Sequence, residues 1–196
     1  MISAKKAVFF LCVDPIDHVA GAVFRAVKDV FSPEETDIVV DGNRALRSAD
    51  GNGNLVYFVP TRKVVSHDYV RYLPEMRRAF SDCDIAGIVT WHAGENAPDR
   101  IFTAHTTGDV ASGNFGLAAP EYMRNVLLAM ENGRREEGLD EFRVTTEATH
   151  WSGMVYGGGS PDMIPQFSVP MIDVEIGSAP ESWSDERAAR VLAKSL

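Results

Sequence analysis

Imidazole and carboxylate side chains occur within, or directly after, segments whose apolar composition is typical of buried strands. The residues concerned are His92, His105, Glu147, His150 and Glu175. Ionised groups are rarely carried into such surroundings unless they are paired, bound to a metal or used in chemistry. Because several of them stand where an apolar run ends, we expect one polar site built from strand ends.

Glu147 and His150 have a spacing whose meaning depends on the local structure. On a helix, residues three apart share a face, as in carboxylate-bridged metal sites. The preceding residues, 142–146 (FRVTT), are strand-like, and residues three apart in a strand point to opposite faces. Both side chains therefore reach one site only if the strand ends near Ala148. His150 is the stronger candidate, and Glu147 is either a group that orients an imidazole or a paired core acid.

His105 lies in residues 102–108 (FTAHTTG). In an extended strand Thr103, His105 and Thr107 share one face, which makes that face polar beside a buried sheet. This pattern makes His105 a candidate for the same site.

His92 follows the strongly apolar residues 84–91, so it stands where a buried strand leaves the sheet. Glu95 is three residues further on and is able to turn toward the same ligand. A single histidine at a strand end is as often bonded to the backbone as to a ligand. A ligand-binding role for His92 is therefore favoured only because other histidines are expected at the same site.

Asp173 and Glu175 share one face of a strand, and like charges in that arrangement need a cation, a proton or hydrogen-bond donors between them. For Asp173 we favour the polar outer face of a half-exposed strand. Glu175 adjoins Gly177 and is the better site candidate. No nucleophile elbow or Cys/His motif is present, which disfavours nucleophilic catalysis by serine or cysteine.

Composition and charge limit the class of protein. Of the 196 residues 45% are hydrophobic and 24% charged, which is ordinary for a globular protein, and the net charge is −9. Residues 1–80 have a charge balance of +1 and residues 81–196 a charge balance of −10, unlike the basic field of a dedicated nucleic-acid binder.

No apolar stretch reaches the roughly 20 residues of a membrane span, so we expect a cytoplasmic protein. Cys12 and Cys83 are expected to be buried thiols.

Apolar periodicity predicts an α/β chain of alternating strands and helices. We expect a single domain over residues 1–196, with a mostly parallel or mixed sheet and helices on both faces. The long loops at 92–117 and 150–168 are expected to carry the site. Strands are predicted at 7–13, 37–40, 55–59, 84–91, 142–146 and 169–176. Helices are predicted at 17–31, 68–80 and 118–131 and at the C-terminal end after Ser184. Asp17 and Ser184 are the expected N-caps of the first and last helices, and the second helix is expected to start again at Pro74.

Four short motifs keep a recognisable order and spacing: TAHTTG at 103–108, NFG at 114–116, EATH at 147–150 and EIGS at 175–178, followed by Trp183 and a terminal helix. In these motifs, and more loosely from Val8 onward, the sequence resembles the archaeal-type D-aminoacyl-tRNA deacylases, as a short and divergent member. The resemblance implies a fold similar to phosphorylase and peptidyl-tRNA hydrolase domains. It also implies zinc dependence and hydrolysis of the ester between a D-amino acid and tRNA.

The resemblance also suggests roles for individual residues. His105, Glu147, His150 and Glu175 match motif positions of that family, and His92 corresponds to a family histidine. On this basis the three histidines are the expected zinc ligands. Glu147 or Glu175 is the expected proton shuttle beside a metal-activated water, with His150 also taking part in catalysis.

The sequence departs from the family at two places, which keeps two alternatives open. The family usually has a second histidine directly after the position of His150, where this chain has Trp151. Family members commonly continue into a segment with a Gly-Gly-Gly-His-like motif, whereas this sequence stops at Leu196. The alternatives are a hydrolase of a small ester, amide or nucleoside-like substrate, and a non-catalytic ligand-binding relative.

Overall fold

The fold is built on one sheet of eight strands, seen in a computed structural model that describes residues 4–196. The first three residues of the predicted domain therefore lie outside the described residues. The strand order is β2-β3-β4-β1-β5-β10-β6-β9, and β7 and β8 form a separate small hairpin. The strands are β1 Lys6–Cys12, β2 Glu34–Val40, β3 Asn43–Ala49, β4 Leu55–Thr61, β5 Ile85–Trp91, β6 Arg100–Thr106, β7 Gly108–Asp109, β8 Asn114–Phe115, β9 Arg143–Thr146 and β10 Met171–Ser178.

The sheet is mixed, which confirms that part of the prediction. Strand β1 pairs in parallel with β4 and β5, and β10 continues this parallel set beside β5. The pairs β10–β6, β2–β3 and β3–β4 are antiparallel. Strand β3 was not predicted, because Arg44 and Arg47 give it the charged composition of a solvent-facing segment.

Helices cover both faces of the sheet, as predicted. Phe31 of the first helix packs on Phe58 of β4, with ring centroids 5.3 Å apart. Phe80 of the second helix packs on Phe10 of β1 at 5.7 Å, on the opposite face. The helices are α1 His18–Phe31, α2 Tyr69–Phe80, α3 Pro120–Glu136, α4 Gly153–Tyr156, α5 Pro180–Trp183 and α6 Glu186–Ser195, with 3₁₀ turns at Val65–Asp68 and Pro161–Gln166.

The caps of α1 and α6 show which side chains start these helices. Asp17 caps α1 as predicted, accepting a hydrogen bond from the Ala20 N–H at 2.8 Å. The Ser184 cap predicted for α6 is wrong, because Asp185 accepts from the Arg187 N–H at 2.8 Å. The Ser184 hydroxyl, just after α5, instead donates to the carbonyl of Pro180, the first residue of that helix.

Helix α2 runs without a restart through Pro74, so that prediction is also wrong. Pro74 is the sixth residue of α2, so the helix lacks the hydrogen bond that an N–H at this position would donate to the Val70 carbonyl. Burial of Tyr72 before the proline and of Met76 after it keeps both parts against the core.

The segment 92–117 was expected to be one long loop but contains β6, which lies between β10 and β9. Residues 101–105 are buried there because both neighbours cover the strand. Cys12 and Cys83 are buried free thiols, as predicted. Among residues 4–196, no helix has the length and apolar character needed to cross a bilayer.

Candidate functional site

Polar side chains of three adjacent strands project from one face of the sheet. Glu175 of β10 is the register partner of Thr103 on β6 and of Thr90 on β5, and Asp173 is the partner of His105. Register partners point to the same side of a sheet, so these side chains meet. All five are less than 10% exposed. The site was expected only at strand ends, and it therefore extends onto a buried face of the sheet as well.

His105 occupies the centre of this face and is 1% exposed. Its Nδ1 donates to the Thr106 carbonyl at 3.1 Å, which fixes the tautomer because a carbonyl only accepts. Its Nε2 lies 3.6 Å from Asp173 Oδ2 and 3.8 Å from Glu175 Oε1, with no hydrogen-bond partner among the described residues. Burial lowers the pKa of His105, but the two carboxylates outweigh this effect and raise it to about 9.

Asp173 belongs to the site, and its assignment to a half-exposed outer face is wrong. It is 4% exposed, because β10 lies inside the sheet between β5 and β6. Its Oδ1 accepts a hydrogen bond from Thr107 Oγ1 at 2.8 Å. Burial raises its pKa, opposed by the charge of His105 and the Thr107 hydroxyl. The sequence signal was the two-residue spacing from Glu175, which places both acids on one face.

Glu175 lies in the cluster and is 5% exposed. Burial raises the pKa of its carboxyl, while His105 acts in the opposite direction. Two buried carboxyls beside one imidazole leave an excess of negative charge when all three ionise. A bound cation or a retained proton relieves that excess.

Glu147 connects His92 and His150 at the edge of the cluster. Strand β9 ends at Thr146, so Glu147 is free of the strand alternation, as the ExxH spacing required. Its Oε2 lies 2.8 Å from His92 Nε2, and its Oε1 lies 3.3 Å from His150 Nδ1. Burial raises the pKa of Glu147, but the hydrogen bond from His92 and the nearby imidazoles lower it overall.

His92 is held at both ring nitrogens. Nδ1 lies 2.6 Å from Ser178 Oγ, and the hydrogen bond that Nε2 donates to Glu147 raises the His92 pKa against the effect of burial. A Cβ at Gly177 would lie 2.5 Å from the His92 Cβ and 2.8 Å from its carbonyl oxygen, so only glycine allows this approach. Glu95, expected to share a ligand with His92, is exposed.

His150 lies over the cluster at its solvent side. Its ring centroid is 4.1 Å from that of His105, with an interplanar angle of 30°. Its Nδ1 donates to the Ala148 carbonyl at 3.1 Å, and its side chain is 48% exposed. The Gly108 N–H of the β7–β8 hairpin donates to the His150 carbonyl at 3.2 Å, which ties the loop that carries His150 to this hairpin.

The described residues contain three overlapping groups whose ligand atoms lie within 4.8 Å of one another. They are His105–Glu147–His150, His92–Glu147–Glu175 and His105–Asp173–Glu175. All five residues expected from the sequence fall in these groups. No such group among residues 4–196 joins the three histidines, because carboxylates separate His92 from the other two. The geometry therefore favours mixed imidazole and carboxylate ligation.

A cavity of about 110 Å³ opens onto this cluster. Its wall includes Ser66, whose hydroxyl lies 2.7 Å from that of Ser152, and the aromatic side chains of His67 and Tyr156. The sequence reasoning missed these residues. They come from the turn before α2 and from α4, and nothing in their local spacing connects them.

Trp151, which replaces an expected histidine, is a core residue. It is 3% exposed and meets the Tyr69 ring edge-on at 5.8 Å. Its Nε1 has no hydrogen-bond partner among residues 4–196. His150 and Ser152 line the cavity on either side of it in sequence, whereas Trp151 packs away from the cavity.

Two solved structures show the same fold. A conserved protein of unknown function superposes with a TM-score of 0.67 at 23% identity, over 100% of this chain and 62% of that one. The 5'-methylthioadenosine/S-adenosylhomocysteine nucleosidase of Helicobacter pylori superposes with a TM-score of 0.55 at 9% identity, over 99% and 97% of the two chains. The predicted phosphorylase-like α/β fold is therefore confirmed.

Several curated relatives are D-aminoacyl-tRNA deacylases. The protein of Archaeoglobus fulgidus is 30% identical over 135 residues, covering 65% of this chain and 44% of the relative. Those of Haloarcula marismortui and Pyrococcus abyssi are 27% and 24% identical, each over 92% of this chain but 38% and 61% of the relative. This chain thus spans less than two thirds of the length of these relatives.

A family model described as D-aminoacyl-tRNA deacylase matches residues 79–196. The match contains every member of the buried cluster, from His92 to Glu175. Because it covers more than half of the sequence, the chain belongs to the D-aminoacyl-tRNA deacylase family.

Proposed function

We propose that this chain hydrolyses the ester between a D-amino acid and tRNA, assisted by a zinc ion at the buried cluster. The observation that carries the proposal is the position of the cluster. Six imidazole and carboxylate side chains meet within the family match, on a sheet face that opens to a cavity.

The residues present fit a zinc ion. His105 Nε2 is buried without a hydrogen bond among the described residues, and two carboxylates face it at distances too long for one. His105 and His150 each use Nδ1 to donate to a backbone carbonyl, which leaves Nε2 as the ligand atom. We propose His105, His150 and a carboxylate of Glu147 or Glu175 as ligands, with His92 orienting the Glu147 carboxylate through its Nε2 instead of binding the ion, as first expected. Zinc bound there would supply Lewis acidity toward an ester carbonyl and a water molecule.

Glu147 is suited to move a proton. Its lowered pKa keeps it ionised near neutral pH, so it is able to accept a proton from an attacking water. His92 Nε2 and His150 Nδ1 flank its two oxygens and hold the carboxylate in position. Glu147, once protonated, is then able to return that proton to the departing ribose oxygen.

The test is release of D-tyrosine from D-Tyr-tRNA, with L-Tyr-tRNA as the chiral control. We expect turnover of the D-ester, loss with a chelator, and recovery on adding zinc. Glu147→Gln should lower kcat/KM by about 100-fold or more. His18→Gln is the matched control, because His18 is an exposed residue of α1 outside the cluster. No turnover at any zinc concentration contradicts the proposal.

A second candidate is hydrolysis of a small ester, amide or nucleoside-like substrate. Residues 81–196, which hold the cluster, have a charge balance of −10, and this disfavours contact with a large polyanion. This candidate predicts turnover in a small-substrate panel and none of charged tRNA, and the reverse pattern rejects it. A non-catalytic relative predicts no turnover in either assay.

A further inference from the structure

The cavity has an aromatic side that the proposed hydrolysis does not use. The ring of His67 stacks on that of Tyr156 with centroids 3.7 Å apart and an interplanar angle of 26°. Behind it, the ring of Trp91 meets His67 edge-on at 5.7 Å. The three rings form a column that ends at Tyr156, and all of them line the cavity beside His92 and His150.

The outer end of this column is open. Tyr156 is 56% exposed although His67 covers one side of its ring. Among residues 4–196, no second aromatic ring lies on Tyr156. Its neighbours on α4, Met154 and Val155, are 53% and 81% exposed. A backed aromatic ring with a free outer face is a surface on which another planar group stacks.

The column is held in place before any ligand binds. The Ser66 and Ser152 hydroxyls lie 2.7 Å apart, and a Cβ at Gly153 would lie 2.5 Å from the Ser66 carbonyl oxygen. The Val70 N–H also donates to the Gly158 carbonyl at 3.2 Å. Helix α4 is therefore fixed against the turn that carries His67. A ring held in this way loses little conformational freedom on binding.

Depth in the cavity indicates which part of a substrate meets the column. Asp173 and Glu175 form the closed end, at 4% and 5% exposure, and Tyr156 stands at the solvent side. An aminoacylated RNA has a free end, the amino acid, and a bulky end that stays outside. The ester therefore lies at the cluster, and the terminal nucleoside remains nearest the mouth.

We propose that the outer face of Tyr156, backed by His67, is a stacking platform for the terminal nucleobase of an aminoacylated RNA. The inference rests on the proposed function, because it takes the scissile ester to lie at the cluster. Burial lowers the pKa of His67 to about 4, so the supporting imidazole is neutral at physiological pH. Stacking on an aromatic side chain contributes about 1–3 kcal/mol per base and tolerates any base.

The experiment compares two non-hydrolysable ligands by calorimetric titration. One is adenosine carrying D-tyrosine in amide linkage at the 3' position, and the other is the same D-tyrosyl ribose without the base. The measured quantity is the ratio of their dissociation constants. We expect the base to strengthen binding about tenfold or more in the wild type, and this advantage to fall close to one in Tyr156→Ala.

Two further variants separate stacking from general damage. Tyr156→Phe should keep the advantage, since stacking needs the ring and not the hydroxyl. Val155→Ala on the same helix should keep it as well, because Val155 is outside the column. An equal ratio in the wild type and Tyr156→Ala overturns the proposal, as does an equal loss in Tyr156→Phe and Tyr156→Ala.

Failure of the hydrolytic proposal gives a different result. A base advantage that depends on Tyr156, in a protein that does not hydrolyse D-Tyr-tRNA, supports the platform and rejects the hydrolysis. Hydrolysis of D-Tyr-tRNA together with a ratio unaffected by Tyr156→Ala supports the hydrolysis and overturns the platform.

Discussion

His105 and Asp173 are register partners on neighbouring antiparallel strands, with Nε2 and Oδ2 3.6 Å apart and the two residues only 1% and 4% exposed. The distance is too long for a hydrogen bond and short enough for strong electrostatic coupling. The other oxygen of Asp173 is fixed by the Thr107 hydroxyl at 2.8 Å. The cluster is therefore a rigid set of charges that a cation between them would stabilise.

Thr107→Val should weaken metal binding without removing a proposed ligand. Valine keeps the shape of threonine but lacks the donor to Asp173 Oδ1. Loss of a hydrogen bond to a group beside the ligands typically lowers metal affinity by about 10–100-fold. Competition titration with a chromophoric chelator measures the change. Thr36→Val on β2 is the control, and equal zinc affinity in both variants contradicts the prediction.

The metal-free protein should lose stability as the pH rises from 6.5 to 9. The folded-state pKa of His105 is raised to about 9. The stabilisation that protonated His105 gives the folded state is therefore complete below its unfolded pKa of about 6.5 and is lost as the pH rises through 9. The expected loss is on the order of 3 kcal/mol. Urea unfolding in chelator at several pH values measures it. His105→Gln should flatten this dependence and His18→Gln should leave it; the same slope in all three proteins rejects the assignment.

Gly177→Ala should displace His92 from the cluster. The added methyl group would lie 2.5 Å from the His92 Cβ and 2.8 Å from its carbonyl oxygen. Forcing a methyl group into packed structure costs roughly 1–3 kcal/mol, and we expect activity to fall further because His92 loses its contact with Glu147. Gly51→Ala is the matched control, since nothing lies within 4 Å of the added atom. Unfolding curves and deacylation rates give the two readouts, and a Gly177→Ala protein equal to the control contradicts the prediction.

Trp151→His should destabilise the protein without strengthening a metal site. The indole is buried against Tyr69, away from the cavity that His150 lines. Replacing it leaves a void and buries a polar ring, which should lower the free energy of unfolding by about 2–4 kcal/mol. Thermal unfolding and zinc titration test both parts. Tighter zinc binding in the variant would show that the position belongs to the metal site.

Local sequence determined much of the fold and the composition of the site. Apolar periodicity placed the strands around His92 and Glu175 and the helix capped by Asp17, because those signals depend only on nearby residues. The motifs carrying His105 and His150 led to the family that the comparison confirms. Strand β3 and the continuation of α2 through Pro74 were not predicted, because tertiary packing outweighs the local structural preferences of these two segments.

Only the tertiary structure decided how the site residues combine. Period-two alternation puts Asp173 and Glu175 on one face, but whether that face is buried depends on β5 and β6 lying on either side. The contact between His92 and Glu147 joins residues far apart in sequence, and the stacking of His67 on Tyr156 does the same. Such pairings arise from strand order and helix placement, which no short spacing encodes. The sequence by itself thus identified the chemical groups of the site, and the packing of the sheet determined which of them contact one another.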